Sequence, residues 1–185
     1  NGNEKITYNH FDSYPDHLGR NMLEYIASTP LEMMREVASA IILVDPGSKP
    51  DLDLIRKYKK YADLRVSKKT YDDWYCLLRN TQGDLFPYNN CLHHMTDYRD
   101  FLSDSLFCEW AYIINLDQQL FEVYRGLNKN PKAKGRYASL EDKDNNGYRG
   151  VDLLCETPLA EINEGNIDVL VAEYSNLAKM GKWAA

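Results

Sequence analysis

Residues 108–126, CEWAYIINLDQQLFEVYRG, carry the clearest structural signal in the chain. Aromatic and aliphatic side chains recur at every second position from Trp110 through Tyr112 and Ile114 to Leu116, which is the period of a β-strand. Residues 117–119 are polar, and an apolar run resumes directly after them. Two strand-like runs joined by a short polar turn predict a β-hairpin.

The other face of this hairpin is also expected to be apolar. Its expected members are Ala111, Ile113, Phe121 and Val123. Strands that are apolar on both faces are typical of the middle of a sheet that helices cover on both sides. We therefore expect the hairpin to occupy the centre of a sheet.

The flanking segments predict further strands and several helices. Residues 5–11 (KITYNHF) alternate and are rich in β-formers, and residues 148–156 (YRGVDLLCE) predict another strand. Capping residues and helical spacing predict helices that begin near Asp16, Thr29, Asp51 or Asp53, Thr70 and Asn166, the second of them running to residue 44. The sequence thus predicts an α+β fold, a mainly antiparallel sheet of about four strands with a central β-hairpin, packed by several α-helices as one domain over residues 1–185.

Composition limits the class of protein. The chain has 185 residues, 44% of them hydrophobic, and a formal net charge of −6. It contains no apolar run of about 18 residues, the length that a membrane-spanning helix needs. Nothing at its start resembles a signal peptide, and its four cysteines form no C-x-x-C pair. We therefore predict a cytoplasmic protein with reduced cysteines.

The charges are unevenly distributed along the chain. Residues 56–69 (RKYKKYADLRVSKK) hold seven Lys or Arg and one Asp, whereas residues 137–178 hold nine Asp or Glu against Lys143 and Arg149. Such a chain can present a basic face to one partner and an acidic face to another. The candidate nucleic-acid contacts in the basic stretch are Arg56, Lys57, Lys59 and Lys60. The alternative interpretation is that both stretches are solvated helix faces.

Residues 6–26 (ITYNHFDSYPDHLGRNMLEYI) hold the residues with most potential for chemistry. His10 and Asp12 share one face of a strand, and His17 could return across the turn. Two imidazoles and a carboxylate could hold a metal, or a His–Asp pair could act as a general base. We favour the structural interpretation, in which these residues build a strand-to-helix corner, because no third strong ligand or nucleophile is nearby in sequence.

Two further segments imitate metal sites incompletely. Residues 91–94 (CLHH) offer a thiol and two imidazoles but lack the second ligand pair of a zinc site. Residues 142–148 (DKDNNGY) begin like a calcium loop, but Leu153 stands where the bidentate Glu belongs. No phosphate-binding glycine loop, H-E-x-x-H or G-x-S-x-G occurs. We therefore predict no metal and no cofactor, and prefer a non-enzymatic protein.

Three stretches resemble uncharacterised proteins of phages and bacterial mobile elements. The opening motif Y-x-H-x-D-[GS]-Y-P, followed by a glycine in a helix, is carried here by Tyr8, His10, Asp12, Tyr14, Pro15 and Gly19. Residues 106–126 and 147–154 (GYRGVDLL) also look like that group. The three stretches cover about a third of the chain and occur in the same order. They identify a family and say little about its activity.

Small acidic phage proteins of this size include anti-CRISPR proteins that inhibit Cas9, and the chain is similar to them. The resemblance implies a viral anti-defence protein in the cytoplasm of a bacterial host cell. It also implies contact with a basic channel of the Cas9–guide RNA complex, where Lys and Arg of the nuclease normally hold nucleic-acid backbone phosphates. The carboxylates expected to occupy phosphate positions are Glu156, Glu161, Glu164 and Asp168.

Two alternatives remain open from the residues. One is a small enzyme or small-molecule-binding protein that uses a pocket of His10, Asp12 and His17. The other is a protein that binds nucleic acid through the basic stretch 56–69. A homodimer is a further possibility, because the many tyrosines and the second hairpin face offer apolar surface.

Overall fold

The structure is a computed structural model that describes residues 4–140 and 146–181. The chain divides into two compact units. The first unit comprises residues 1–11 and 32–99, and the second unit comprises residues 12–31 and 100–185. That the two units form the single domain predicted from the sequence stays a prediction.

The described residues form both helices and strands. The α-helices are α1 (Arg20–Ser28), α2 (Leu31–Ala40), α3 (Leu52–Tyr58), α4 (Trp74–Leu77) and α5 (Ile167–Gly181). The strands are β1 (Ile42–Val44), β2 (His94–Thr96), β3 (Trp110–Asn115), β4 (Leu120–Arg125) and β5 (Asp152–Pro158). A π-helical turn, Pro15–Gly19, leads directly into α1, and several 3-10 turns connect the other elements. The predicted α+β class is confirmed.

The first unit is built around a small parallel sheet. Strand β1 pairs with β2, so that Ile42 lies opposite His94 and Val44 opposite Thr96. Helix α3 begins where the sequence predicts, because Asp51 Oδ1 accepts a hydrogen bond from the Leu54 backbone N–H at 2.9 Å. The buried core of this unit consists of Ile41, Tyr58, Trp74, Leu77, Leu78, Tyr88, Leu92 and Met95.

Three local predictions for the first unit are wrong. Helix α2 ends at Ala40 instead of residue 44, because the β-branched residues after it pair with β2. The helix predicted from Thr70 is only α4, which starts later because Asp73 Oδ1 caps the Cys76 N–H at 2.7 Å. Residues 5–11 form no strand: they run beside β2 with one backbone hydrogen bond, from Tyr98 N–H to the Ile6 carbonyl at 3.0 Å.

The second unit contains the predicted hairpin. Strands β3 and β4 are antiparallel from the Trp110–Arg125 pair to the Asn115–Leu120 pair, and β5 pairs antiparallel with β4. Helix α5 turns one apolar stripe inward, formed by Ile167, Leu170, Val171 and Tyr174. Its Tyr174 hydroxyl lies 2.7 Å from Thr157 Oγ1 on β5, which fixes the helix on one face of the sheet.

The predicted sheet of about four strands is wrong. The described residues form a three-stranded antiparallel sheet in the order β3-β4-β5 and a separate two-stranded parallel sheet. The hairpin is therefore not central as a whole, since β4 is the middle strand and β3 lies at an edge. Residues 5–11, which would have supplied the fourth strand, belong to the other unit.

The assignment of hairpin faces is wrong for the residues of β4. The four-residue turn pairs Asn115 with Leu120, so Ile114 stands opposite Phe121 and Tyr112 opposite Val123. Directly opposed residues share a face, which places Phe121 and Val123 on the helix-covered face with the aromatics of β3. The other face carries Ala111 and Ile113, as predicted, but also Glu122 and Tyr124, whose polar groups mean that it is not the apolar surface expected.

A loop segment, not a helix, covers that second face. Residues 127–140 fold back so that the ring of Tyr137 packs edge-on against Tyr124 at 5.1 Å between centroids. Gly135 makes this approach possible: its φ is +88°, and a Cβ there would lie 2.7 Å from the Cβ of Leu153. Asn128, Tyr137 and Ala138 of this segment are buried while its charged side chains stay exposed, so a charged, loop-like sequence can still cover the face.

Candidate functional site

The first half of the opening motif belongs to the first unit. The His10 Nδ1 atom lies 2.5 Å from Gln82 Oε1, which also accepts the His10 backbone N–H at 3.3 Å. Burial lowers the pKa of His10 most, and the nearby Arg79 lowers it further against the opposing effect of the Gln82 hydrogen bond. Tyr8 packs against Tyr98 with ring centroids 5.6 Å apart. His10 is therefore engaged by an amide within its own unit.

The second half of the motif builds a corner of the second unit. Asp12 Oδ1 accepts the Tyr14 N–H at 2.9 Å, and Asp12 Oδ2 lies 3.8 Å from His17 Nε2 on the exposed surface. The Tyr112 hydroxyl donates to the Ser13 carbonyl at 2.9 Å. A Cβ at Gly19 would meet the ring of Tyr112 at 3.1 Å, so the glycine allows the helical turn to approach β3. These contacts build the corner at which the chain turns into α1 beside β3. The pocket of His10, Asp12 and His17 stays a prediction.

One imidazole of the CLHH segment, that of His94, makes structural contacts. His94 stacks on Trp74 at 4.9 Å between centroids, and its Nδ1 lies 3.0 Å from the Tyr58 hydroxyl. Burial lowers the pKa of His94, with the positive charge of Lys57 as a smaller cause. Cys91 is exposed. Residues 141–145, which include Asp142 and Asp144 of the calcium-like stretch, lie outside the described residues.

The described residues hold neither a cluster of metal ligands nor a membrane-spanning helix. Residues 4–140 and 146–181 contain no group of three or more His, Cys, Asp or Glu side chains that could hold a metal ion. No helix within those residues combines the length and the apolar character needed to cross a membrane.

The basic residues 56–60 lie on α3 and the 3-10 turn Lys59–Tyr61 that follows it. The side chains of Arg56, Lys57, Lys59 and Lys60 are all exposed. Arg56 pairs with Asp53 at 2.9 Å. The intervening Tyr58 is buried, so the helix turns its aromatic residue inward and its cations outward. The structure therefore places these four predicted residues on two consecutive elements, α3 and the 3-10 turn after it.

The four predicted acidic residues are distributed differently. Glu161, Glu164 and Asp168 lie in a short stretch before and at the start of α5, which Asn166 holds by donating its Nδ2 to the Glu161 carbonyl at 2.7 Å. Asp168 pairs with Arg20 at 2.7 Å. Glu156 is exposed on β5, and because its neighbour Thr157 contacts α5, Glu156 lies on the other face of the sheet. Three of the four carboxylates thus share a stretch, and the fourth does not.

Sequence reasoning missed a buried ionic network on the second face of the sheet. The Glu122 carboxylate is 3% exposed and accepts hydrogen bonds from Asn115 Nδ2 at 2.6 Å and the Tyr124 hydroxyl at 2.6 Å. Arg136 Nη2 adds contacts of 3.0 and 2.8 Å to its two oxygens. The sequence feature that could have revealed the network is a Glu within the apolar strand LFEVY, because Glu is rarely buried without a partner. The network is fully hydrogen-bonded, which is typical of a structural role.

A second missed cluster surrounds Arg79 in the first unit. Its guanidinium carbon lies 4.6 Å from the centroid of the Tyr75 ring, and burial lowers the pKa of Arg79. Its Nε and Nη1 atoms, and Nε2 of Gln82, are buried with no hydrogen-bond partner among the described residues. Nothing in the local sequence signals this cluster, since His10 and Gln82 are 72 positions apart.

Comparison with known proteins identifies no relative. No family model matches the chain, and neither a curated protein nor a solved structure does so.

Proposed function

We propose that the chain is a non-enzymatic anti-defence protein of a phage or mobile element, which inhibits a host Cas9–guide RNA complex by binding it through charged surfaces. The similarity in size and acidity to anti-CRISPR proteins of phages supplies the class of partner. The distribution of charge between the two units supports binding through electrostatic complementarity. In this proposal the second unit supplies the surface that meets the basic channel of the complex.

Charge separation between the units carries the proposal. The second unit contains seventeen Asp or Glu and ten Lys or Arg, whereas the first unit contains eleven and twelve. The excess negative charge of the whole chain therefore belongs to the second unit. Glu156, Glu161 and Glu164 are exposed, and no cation among the described residues lies within 4.0 Å of their carboxylates. Carboxylates that are unpaired and solvated remain available to meet Lys and Arg of a partner.

The direct test is inhibition and binding of a purified Cas9–guide RNA complex. Guided cleavage of a labelled duplex is titrated with the chain, and binding is measured separately between 50 and 300 mM salt. A binder that acts by occupancy inhibits in proportion to its molar ratio and weakens as salt rises. Inhibition at a small fraction of the nuclease concentration would instead require turnover and would contradict a non-enzymatic mechanism.

A pair of matched variants tests whether the acidic stretch is the contact. Glu161→Gln with Glu164→Gln is expected to weaken binding about fivefold to tenfold at low salt, mainly through slower association. The control is Glu24→Gln with Glu36→Gln, which removes the same charge from exposed positions on helices. Equal weakening by both pairs would show an effect of net charge only. An absence of binding by the unaltered chain at 50 mM salt would end the proposal.

A further inference from the structure

We infer that the basic segment of the first unit, residues 56–69, binds the phosphate backbone of a nucleic-acid strand without reading its bases. This segment belongs to a different unit from the acidic stretch, and the inference does not depend on the proposed function. The inference concerns the protein alone with a nucleic acid, in the absence of any nuclease.

The charge of this segment is exposed and largely uncompensated. All seven of its Lys and Arg side chains are exposed. Two are neutralised: Arg56 pairs with Asp53 at 2.9 Å, and Arg65 pairs with the buried Asp63 at 2.8 Å. The other five have no carboxylate oxygen of the described residues within 4.0 Å; they are Lys57, Lys59, Lys60, Lys68 and Lys69. Five like charges this close in sequence repel one another, and a polyanion relieves that repulsion.

Packing holds two of these ammonium groups in place. Lys57 Nζ lies 5.2 Å from the centroid of the Tyr58 ring, and Lys60 Nζ lies 4.8 Å from that of Tyr61. Tyr58 is itself 1% exposed. Cations held over fixed rings lose less side-chain freedom when they meet a phosphate than free lysines do.

The same packing argues against base recognition. Proteins that bind single strands by stacking present exposed aromatic faces to the bases. Here Tyr58 lies in the core, while Tyr61 and Tyr71 pack against it. Contact with phosphates alone predicts binding that is independent of sequence and steeply dependent on salt.

Backbone conformation adds support at the end of the segment. Ser67, Lys68 and Lys69 have φ values of +50°, +56° and +63°, a left-handed run that residues with a Cβ rarely adopt. The turn nevertheless carries two lysines, and both are exposed. Strain that persists in a protein is concentrated at binding and catalytic sites, and a strained turn presenting two cations fits an anion-binding role.

A strand of nucleic acid fits better than an anionic membrane. Peripheral membrane binding by a basic segment is strengthened by large apolar side chains on the same surface. Within residues 56–69 the one large apolar side chain that is exposed is Leu64, at 39%. A nucleic-acid strand offers one phosphate about every 3.4 Å, a density that several neighbouring lysines can match.

The test measures fluorescence anisotropy of a labelled 20-nucleotide RNA, with the corresponding DNA duplex as a second probe. Binding by the unaltered chain is expected at 25 mM salt and should weaken steeply towards 200 mM. The variant Lys57→Gln, Lys59→Gln, Lys60→Gln should bind the RNA about tenfold more weakly at 50 mM salt. Its slope of log K against log salt should fall by about 2, since each lost single-strand phosphate contact removes about 0.7.

The matched control removes three positive charges from exposed positions of the second unit, as Lys129→Gln, Lys132→Gln, Lys134→Gln. It should bind within about twofold of the unaltered chain, because the inferred phosphate contacts all lie within residues 56–69. Circular dichroism of both triple variants excludes misfolding as the cause.

Four results would overturn the inference. They are no RNA or duplex binding at 25 mM salt, equal loss in both triple variants, binding to phosphatidylserine vesicles without binding to either oligonucleotide, and self-association at low salt in place of oligonucleotide binding. Because no nuclease is present, failure here leaves the proposed inhibition of Cas9 untouched, and failure of that proposal leaves this result standing.

Discussion

Replacing Arg136 by alanine is expected to destabilise the second unit strongly. The substitution removes the guanidinium whose Nη2 contacts both oxygens of Glu122, at 3.0 and 2.8 Å. The carboxylate is 3% exposed, so water cannot readily replace the lost partner. Two neutral donors, from Asn115 and Tyr124, remain on a buried negative charge.

The magnitude follows from how deeply each partner is buried. Removing one partner of a fully buried ion pair costs about 3–5 kcal/mol. The Arg136 side chain is 41% exposed, and water can therefore reach part of the site that it leaves, so we expect the lower end, about 3 kcal/mol. With a urea dependence of about 2 kcal/mol per molar, the unfolding midpoint should fall by about 1.5 M.

Urea unfolding followed by circular dichroism measures this change. Arg149→Ala is the control, because Arg149 is exposed and lies on the chain between the loop segment and β5. That variant should shift the free energy of unfolding by no more than about 0.5 kcal/mol. A double-mutant cycle with Glu122→Gln and Arg136→Met should give a coupling energy of about 1–3 kcal/mol.

Two results would contradict the expected role of the Arg136–Glu122 ion pair. Equal, small effects of Arg136→Ala and Arg149→Ala would mean that the guanidinium contributes no more than an exposed ion pair. A coupling energy near zero, with large effects of both single substitutions, would mean that each residue acts through packing and not through the other.

Three other substitutions or reactions test separate features. A thiol reagent at pH 8 should modify the exposed Cys91 quickly and Cys108 only on unfolding, because burial raises the pKa of Cys108 to about 12. Because of the same raised pKa, this thiol contributes stability that is lost as pH rises from about 9 towards 12. Unfolding curves at pH 8 and pH 11 measure that loss. Gly126→Ala should destabilise by about 3 kcal/mol or more, since its Cβ would lie 2.0 Å from a backbone carbonyl oxygen, while Gly47→Ala, with 3.6 Å to its nearest neighbour, should be nearly neutral in the same urea assay. Lys68→Gly should stabilise by about 1 kcal/mol by relieving a φ of +56°, and yet weaken RNA binding in the anisotropy assay; a variant that is less stable would contradict the strained turn.

The sequence predicted elements whose signals are local. The hairpin follows from alternation within nineteen residues, and α3 follows from Asp51 three residues before the N–H that it caps. The pairing of β1 with β2 has no such signal, because three residues at 42–44 meet three residues at 94–96 with most of the unit between them. Propensity made residues 5–11 resemble a strand, but a strand also needs a hydrogen-bonded ladder, and one bond from the Tyr98 N–H to the Ile6 carbonyl does not make a ladder.

The candidate site was predictable to the same extent. Exposure of the basic residues 56–60 follows from helical spacing around Tyr58, and the structure agrees. The separation of Glu156 from the other three acidic residues depends on the register of β5 against β4, which one sequence does not determine. The Glu122 network could have been suspected from a charge within an apolar strand, but its partner Arg136 lies in a segment that has every sequence mark of a solvated loop.

The division of the opening motif between the two units explains its mixed composition. The boundary between the units falls between Phe11 and Asp12, in the middle of the motif. Residues before the boundary must complete the first unit, and His10 does so through Gln82. Residues after it must turn the chain into α1: Asp12 accepts the Tyr14 N–H, Pro15 begins the π-helical turn, and Gly19 lets that turn approach Tyr112. A dense run of histidine and aspartate can thus arise from two neighbouring structural requirements, each met within its own unit, with no need for a shared reactive site.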